Sequence, residues 1–243
     1  MATVDEERNG TGRRQVWIGV LAAFVVVAVL ALVSVISSPG SKQSPQAGDP
    51  AVEMQKARQA AARRLPGDPL AMGSTTAPVA IVVWADFQCP YCGQFTKETE
   101  PTLVNQYVKT GKARLEWRDF AFLGKESTNA AIAARAAGRQ GKFWPYHDLL
   151  FAEQHPENSG ALTTTYLVGL ARRLGLDTAR FQADLADPTL AKQVTSDQTA
   201  GTALGVNGTP TVLINGQLVS GADALSTYTQ AVDAALAHPN PAR

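Results

Sequence analysis

The sequence predicts an α/β domain with an inserted all-helical subdomain, preceded by one transmembrane helix. Three observations point there. Two short apolar runs, Val79–Trp84 and Ala113–Phe120, flank a helix-like segment. A long series of helical patterns then fills Ser127 to Gly205, and a hairpin with a final helix closes the chain. Strand–helix–strand, gap, hairpin–helix is the element order of a compact sheet with helices packed on it. The 243 residues are 45% hydrophobic and 18% charged, the balance of a chain that can bury a core. A formal net charge of +1, without a basic patch interleaved with aromatics, excludes nucleic acid as a partner.

Residues 1–15 read as a cytoplasmic tail and Val16–Ile36 as the transmembrane helix. That run carries no charge and would span roughly 31 Å, close to a bilayer core of about 30 Å. Arg8, Arg13 and Arg14 precede it, whereas Ser37 to Val52 contains only Lys42 and Asp49, so the bulk of the chain is expected outside the cytoplasm. The run exceeds a signal peptide's apolar core, and Ser37-Ser38-Pro39-Gly40 is a poor cleavage site. Membrane lipid is therefore an expected partner. Residues 37–70 read as a linker: a Ser/Pro/Gly/Gln tether to Pro50, then a short helix over Val52–Arg64 ended by Pro66-Gly67-Asp68-Pro69.

The sheet domain's first part is assigned to 71–122. Val79–Trp84 is β-branched and continuously apolar, as a strand buried on both faces would be. Thr96–Thr110 reads as a helix and Ala113–Phe120 as a second strand. In the insertion, 123–205, Ser127 and Asn129 are candidate caps for a helix running to Ala137. Further helices are expected over Phe143–Phe151, Thr163–Leu174, Asp177–Leu185 and Pro188–Leu204, the last capped by Asp187. The second part, 206–243, opens with a turn at Val206–Pro210. A hairpin follows, pairing Thr211–Ile214 with Gln217–Val219 around Asn215-Gly216, and then a helix over Ala222–Ala237.

The chemistry is concentrated in one window. The two cysteines of the chain are Cys89 and Cys92, separated by Pro90 and Tyr91. A stapled secreted scaffold would spread more cysteines along its length, and no two of His147, His155 and His238 have ligand spacing, so no metal site is expected. Proline is favoured at the first helical position, which makes Cys89 the N-cap and places Cys92 one turn on. An N-cap sulfur faces the N–H groups of Tyr91 and Cys92, and their dipoles favour a thiolate. Cys89 is thus the expected nucleophile, with a pKa of roughly 5–7, and Cys92 the thiol that resolves a mixed disulfide. Closing so short a loop removes little chain entropy, so stability is a poor reason for the pair. A Cu(I) module is the competing chemistry, disfavoured by the absence of a neighbouring third ligand.

These residues resemble the DsbA-type thiol–disulfide oxidoreductases of the thioredoxin superfamily. The resemblance rests on Asp86-Phe87-Gln88-Cys89-Pro90-Tyr91-Cys92, on Gln140-Gly141-Lys142-Phe143-Trp144 with His147-Asp148, and on Gly208-Thr209-Pro210-Thr211 ahead of Asn215-Gly216. It implies a thioredoxin fold split by the helical insertion, and a cis peptide before Pro210 facing the cysteines. Thr209 and Pro210 would bind an extended substrate through the backbone. No cofactor beyond a Cys89–Cys92 disulfide is implied. The expected partners are unfolded exported proteins and a quinone-linked membrane thiol oxidase. The lowered Cys89 pKa in turn sets an expected redox potential for the Cys89–Cys92 pair of about −120 to −180 mV. Reduction or isomerisation of disulfides is the alternative direction. The chain departs from the family at Val83, where an acidic residue often lies beneath the cysteines. Asp86 is expected to be a turn residue, and His147 a packed or half-exposed structural one.

Overall fold

The computed structural model describes residues 48–221 and 223–238. The predicted tail and transmembrane helix, and most of the tether, lie outside the described residues. Among the described residues no helix is long and apolar enough to cross a membrane.

Five strands form one mixed sheet in the order β1-β3-β2-β4-β5. β2 (Val79–Ala85) lies at its centre, parallel to β3 (Ala113–Asp119) and antiparallel to β4 (Thr211–Ile214). β4 pairs with β5 (Gln217–Ser220) through the expected hairpin, whose Asn215 and Gly216 both take positive φ. A two-residue strand, β1 (Ala71–Met72), pairs with β3 and was too short to read from sequence.

Strand alternation sorts the core. Val79, Ile81, Val83 and Ala85 face the main core, whereas Val82 and Trp84 join a smaller cluster with Phe120, Val206 and Leu213 on the other face. In β3, Ala113, Leu115 and Trp117 point into the main core, and Arg114, Glu116 and Arg118 are buried opposite them. That charged face is covered by the segment following α1 (Pro50–Gln59), a helix capped by Asp49. The Glu116 carboxylate accepts from Arg63 N (2.9 Å) and Arg64 N (2.8 Å), and Arg58 Nε donates to Leu204 O (2.8 Å). Helix α1 stops at Gln59, and residues 58–65 are bound to the domain because buried Glu116 needs donors.

The helix that follows the cysteine loop, α2, runs over residues 90–108. Its α-helical turns Pro90–Gln94 and Glu100–Leu103 alternate with wide π turns at Phe95–Thr99 and Val104–Val108. Pro101 lacks an N–H to continue the regular ladder, and such widened turns absorb that defect. The helical block follows as α3 (Lys125–Gly138), α4 (Phe143–Ala152), α5 (Thr164–Arg173), α6 (Thr178–Leu185) and α7 (Pro188–Ala203). Helix α3 begins at Lys125 after Gly124, so Ser127 and Asn129 are not its caps. Ser127 is instead buried inside its first turn. Asp187 caps α7 by accepting from Thr189 N (2.8 Å). Helix α8 starts at Leu225, three residues later than expected. The insertion has no separate core: Phe143, Phe151, Leu170 and Phe181 belong to the same cluster as Val83 and Trp117.

Candidate active site

Central strand β2 delivers the chain to the site. Asp86, Phe87 and Gln88 follow it, all buried, and Cys89 then takes an extended conformation (φ −69°, ψ 121°) as the N-cap of α2, with Pro90 at the first helical position. The expected cap geometry is present, but the cap hydrogen bond is not made. The Cys92 N–H turns to the Cys89 carbonyl at 3.1 Å, as does that of Gly93. The N–H groups of Cys92 and Tyr91 therefore act on the sulfur as nearby dipoles.

Both cysteines are free thiols. Cys92 is wholly buried, and Cys89 only 5% exposed, less than an N-cap position suggests. The Thr209–Pro210 peptide is cis, and Cys89 Sγ donates to Thr209 O at 3.3 Å. The structure thus brings Cys89, Cys92, Thr209 and Pro210 together from opposite ends of the domain. Tyr91, at 63% exposure, projects outward beside them.

The two thiols titrate in opposite directions. The Cys92 thiol, the largest influence, stabilises a Cys89 thiolate. Burial opposes it, and the Thr209 side chain with the N–H groups of Cys92 and Tyr91 reinforces it, bringing Cys89 down to about 6. Burial, followed by the neighbouring Cys89, pushes Cys92 well above an ordinary thiol. A readily ionised thiol beside one that stays protonated is the arrangement that stepwise exchange requires. A weak contact from Asp86 N (3.5 Å) reaches the Cys92 sulfur.

The remaining residues hold the loop. Asp86 accepts from Gln88 N (2.8 Å), Phe122 N (3.0 Å) and Leu123 N (3.1 Å), which is the turn role expected of it, while burial raises its pKa. Val83 is buried between Trp117 and Val212 of the adjoining strands, so its position supplies no acid. His147 is wholly buried, edge-on to Trp117 (4.8 Å) and Phe151 (5.0 Å), and is packed rather than half-exposed.

Two side chains that hold this loop were missed from sequence. Gln154 Nε2 donates to Phe87 O (3.1 Å) and Cys89 O (2.9 Å). Gln88 Nε2 donates to Ser127 Oγ (2.8 Å), and its Oε1 accepts from Asn158 N (2.7 Å). These bonds clamp the cysteine loop to the helical block. No spacing rule foretells amides that reach across 39 to 70 residues of chain.

A family profile described as Thioredoxin matches residues 66–234. Over 167 residues the chain is 38% identical to Na(+)/H(+) antiporter NhaA 1 of Salinispora arenicola, a match that covers 68% of this chain but 24% of the antiporter. The chain thus spans about a quarter of that relative's length. It is 30% identical over 153 residues to the probable disulfide bond formation protein D of Bacillus cereus, covering 61% of this chain and 71% of that protein. Oxidised BdbD of Bacillus subtilis superposes with a TM-score of 0.65 at 24% identity, over 70% of this chain and 94% of that one, and shares its fold.

Proposed function

Because the chain belongs to the DsbA-type thiol–disulfide oxidoreductases of the thioredoxin superfamily, we propose that it works as an oxidase, donating a Cys89–Cys92 disulfide to exported proteins. The observation that carries this direction is the split between the two thiols, with Cys89 at about 6 and Cys92 well above its usual range. A disulfide oxidises strongly when its reduced form is stabilised, and ionisation of Cys89 is that stabilisation.

In the first step a substrate thiolate attacks the Cys89 sulfur, a substrate–Cys89 bond forms, and the Cys89–Cys92 bond breaks with its electron pair on Cys92. Burial then favours protonation of that thiolate. A second substrate thiolate attacks the substrate sulfur of the mixed disulfide and expels Cys89 as a thiolate. The substrate loses two electrons and the pair gains them. Exposed Tyr91 and Phe122, the latter 44% exposed next to the Asp86-held loop, suit apolar segments of an unfolded substrate. Thr209 and Pro210 would align its backbone.

Residues 16–36 support a single-pass membrane location with the catalytic domain outside the cytoplasm, where membrane lipid surrounds the anchor and a quinone-linked oxidase restores the disulfide. Three quarters of the antiporter relatives lie outside the match, and their transport activity is not carried over.

A glutathione redox titration of the Cys89–Cys92 pair tests the direction. The expected potential is about −120 to −180 mV; a value near about −270 mV would favour reduction instead.

A further inference from the structure

The catalytic chemistry leaves one buried polar cluster unused, on the stretch where α2 meets α4. Glu100 lies between the two π turns of α2, and His147 is on α4. Both are more than nine-tenths buried. Their facing atoms, Glu100 Oε2 and His147 Nε2, are 3.9 Å apart, too far for a hydrogen bond, and neither has a partner among the described residues. Asp148, two-thirds exposed, sits 2.9 Å from His147 Nδ1. An ionised carboxylate can only accept, so Nδ1 carries the proton and the Nε2 lone pair is turned to Glu100. Two inward-facing atoms with no partner are costly to bury, and a ligand shared between them would remove that cost.

We propose that Glu100 and His147 Nε2, with Asp148 behind the imidazole on Nδ1, hold one divalent transition-metal ion of the zinc class. Ligand atoms from the three residues all lie within 4.8 Å of one another. Zinc binds imidazole nitrogen at about 2.0–2.1 Å and carboxylate oxygen at about 2.0–2.2 Å. Two ligands of a tetrahedral zinc at those bond lengths sit about 3.4 Å apart, so the 3.9 Å gap closes by about half an ångström when the ion binds. Asp148 on Nδ1 is the partner that orients a metal-bound imidazole and raises its basicity. An imidazole donor selects zinc-like ions over calcium and magnesium, which prefer oxygen. Entry is through a cleft of about 420 Å³ lined by Thr96, Lys97, Glu100, Lys109, Trp144 and Asp148. Its two lysines offset part of the acidic charge, so the affinity comes from coordination more than from a long-range field.

The test uses the full chain with Cys89 and Cys92 as a disulfide, so that no thiol competes for metal. Zinc alone is added during calorimetry, and calcium or magnesium in parallel. Stoichiometric zinc binding is expected, weakened more than tenfold in both Glu100→Gln and His147→Gln. Asp148→Asn should weaken it by about 10- to 100-fold. Should a variant fail to fold, the imidazole ¹⁵N signals of His147 in the wild type decide: Nε2 shifts on zinc addition and Nδ1 keeps its proton. Absence of zinc binding by the oxidised wild type overturns the site. So does binding that leaves the His147 nitrogens unmoved, or calcium binding as tightly as zinc.

Discussion

Cys89 and Cys92 differ by one helical turn, yet their surroundings push their thiols in opposite directions. Cys89 faces the Thr209 carbonyl and the start of α2, whereas Cys92 is sealed beneath it. Cys89→Ser is expected to reduce exchange to background. Cys92→Ser should accumulate mixed disulfides, because the protonated reserve thiol that resolves them is gone. Non-reducing gels of cells carrying each variant separate the two outcomes, and trapping by Cys89→Ser instead would reverse the roles. The titration gives a signed prediction for stability. The folded Cys89 pKa, about 6, is depressed from the ordinary thiol value of 9.0. Between these values the unfolded chain holds a proton that the folded chain has released, so the reduced protein gains stability as pH rises from about 6 towards 9 and loses it as pH falls through 6. The disulfide form has no such thiol. The Tm of reduced minus oxidised protein should therefore rise from pH 6 to pH 8, and a flat difference would contradict the assignment. Tyr91→His adds a cation beside the thiolate, should move the thiolate-absorbance midpoint below that of the wild type, and should make the protein more oxidising.

At the scale of elements, the loop that carries Cys89 owes its position to Gln154, which follows α4 and bonds two of its carbonyls. Gln154→Ala should cost about 1–2 kcal/mol, measured by urea unfolding of the reduced protein. Gly93 completes the arrangement, since a Cβ there would lie 2.3 Å from Gln154 Oε1. Gly93→Ala alone should displace that amide and offset the gain in helix propensity. Combined with Gln154→Ala it has room, and should restore about 0.5–1 kcal/mol relative to Gln154→Ala alone. Equal effects of Gly93→Ala in both backgrounds would mean that Gln154 does not constrain this turn. The same elements show what a sequence discloses. The central strand, the hairpin at Asn215-Gly216 and the helix start at Pro90 follow from local rules of burial, turn chemistry and capping. What stayed hidden depends on long-range partners. The start of α3 was misplaced because Ser127, a good cap by type, is used to receive Gln88. The clamp by Gln154 and Asn158, and the meeting of Glu100 with His147, have no local signature at all.

For the whole molecule the decisive feature is the charged network that ties the N-terminal arm, the sheet and the helical block together. Asp197 on α7 accepts from Arg63 of the arm and from Arg135 of α3, while Asp119 at the end of β3 also holds Arg135 (2.5 Å). Alongside it, Glu116 bridges Arg114 (2.8 Å) and Arg118 (2.6 Å). Burial pushes the Glu116 carboxyl up, but Arg114 and Arg118 pull it further down, below the usual range. That contribution is present above the unfolded pKa and disappears as pH falls through the folded one. Removing one member of a buried set strands the others, so Asp197→Ala, which leaves the buried Arg135 with a single carboxylate, should cost about 3–5 kcal/mol. None of these groups hydrogen-bonds either cysteine, so the loss should be equal in the reduced and oxidised proteins and the Cys89 midpoint should stay near 6. Urea melts of both redox forms, with thiolate absorbance on the folded variant, measure the two quantities separately. A loss below about 1 kcal/mol would mean that water replaces the carboxylate and the network adds little. A shifted Cys89 midpoint would mean that the arm and the helical block set the reactivity of the site as well as holding the fold.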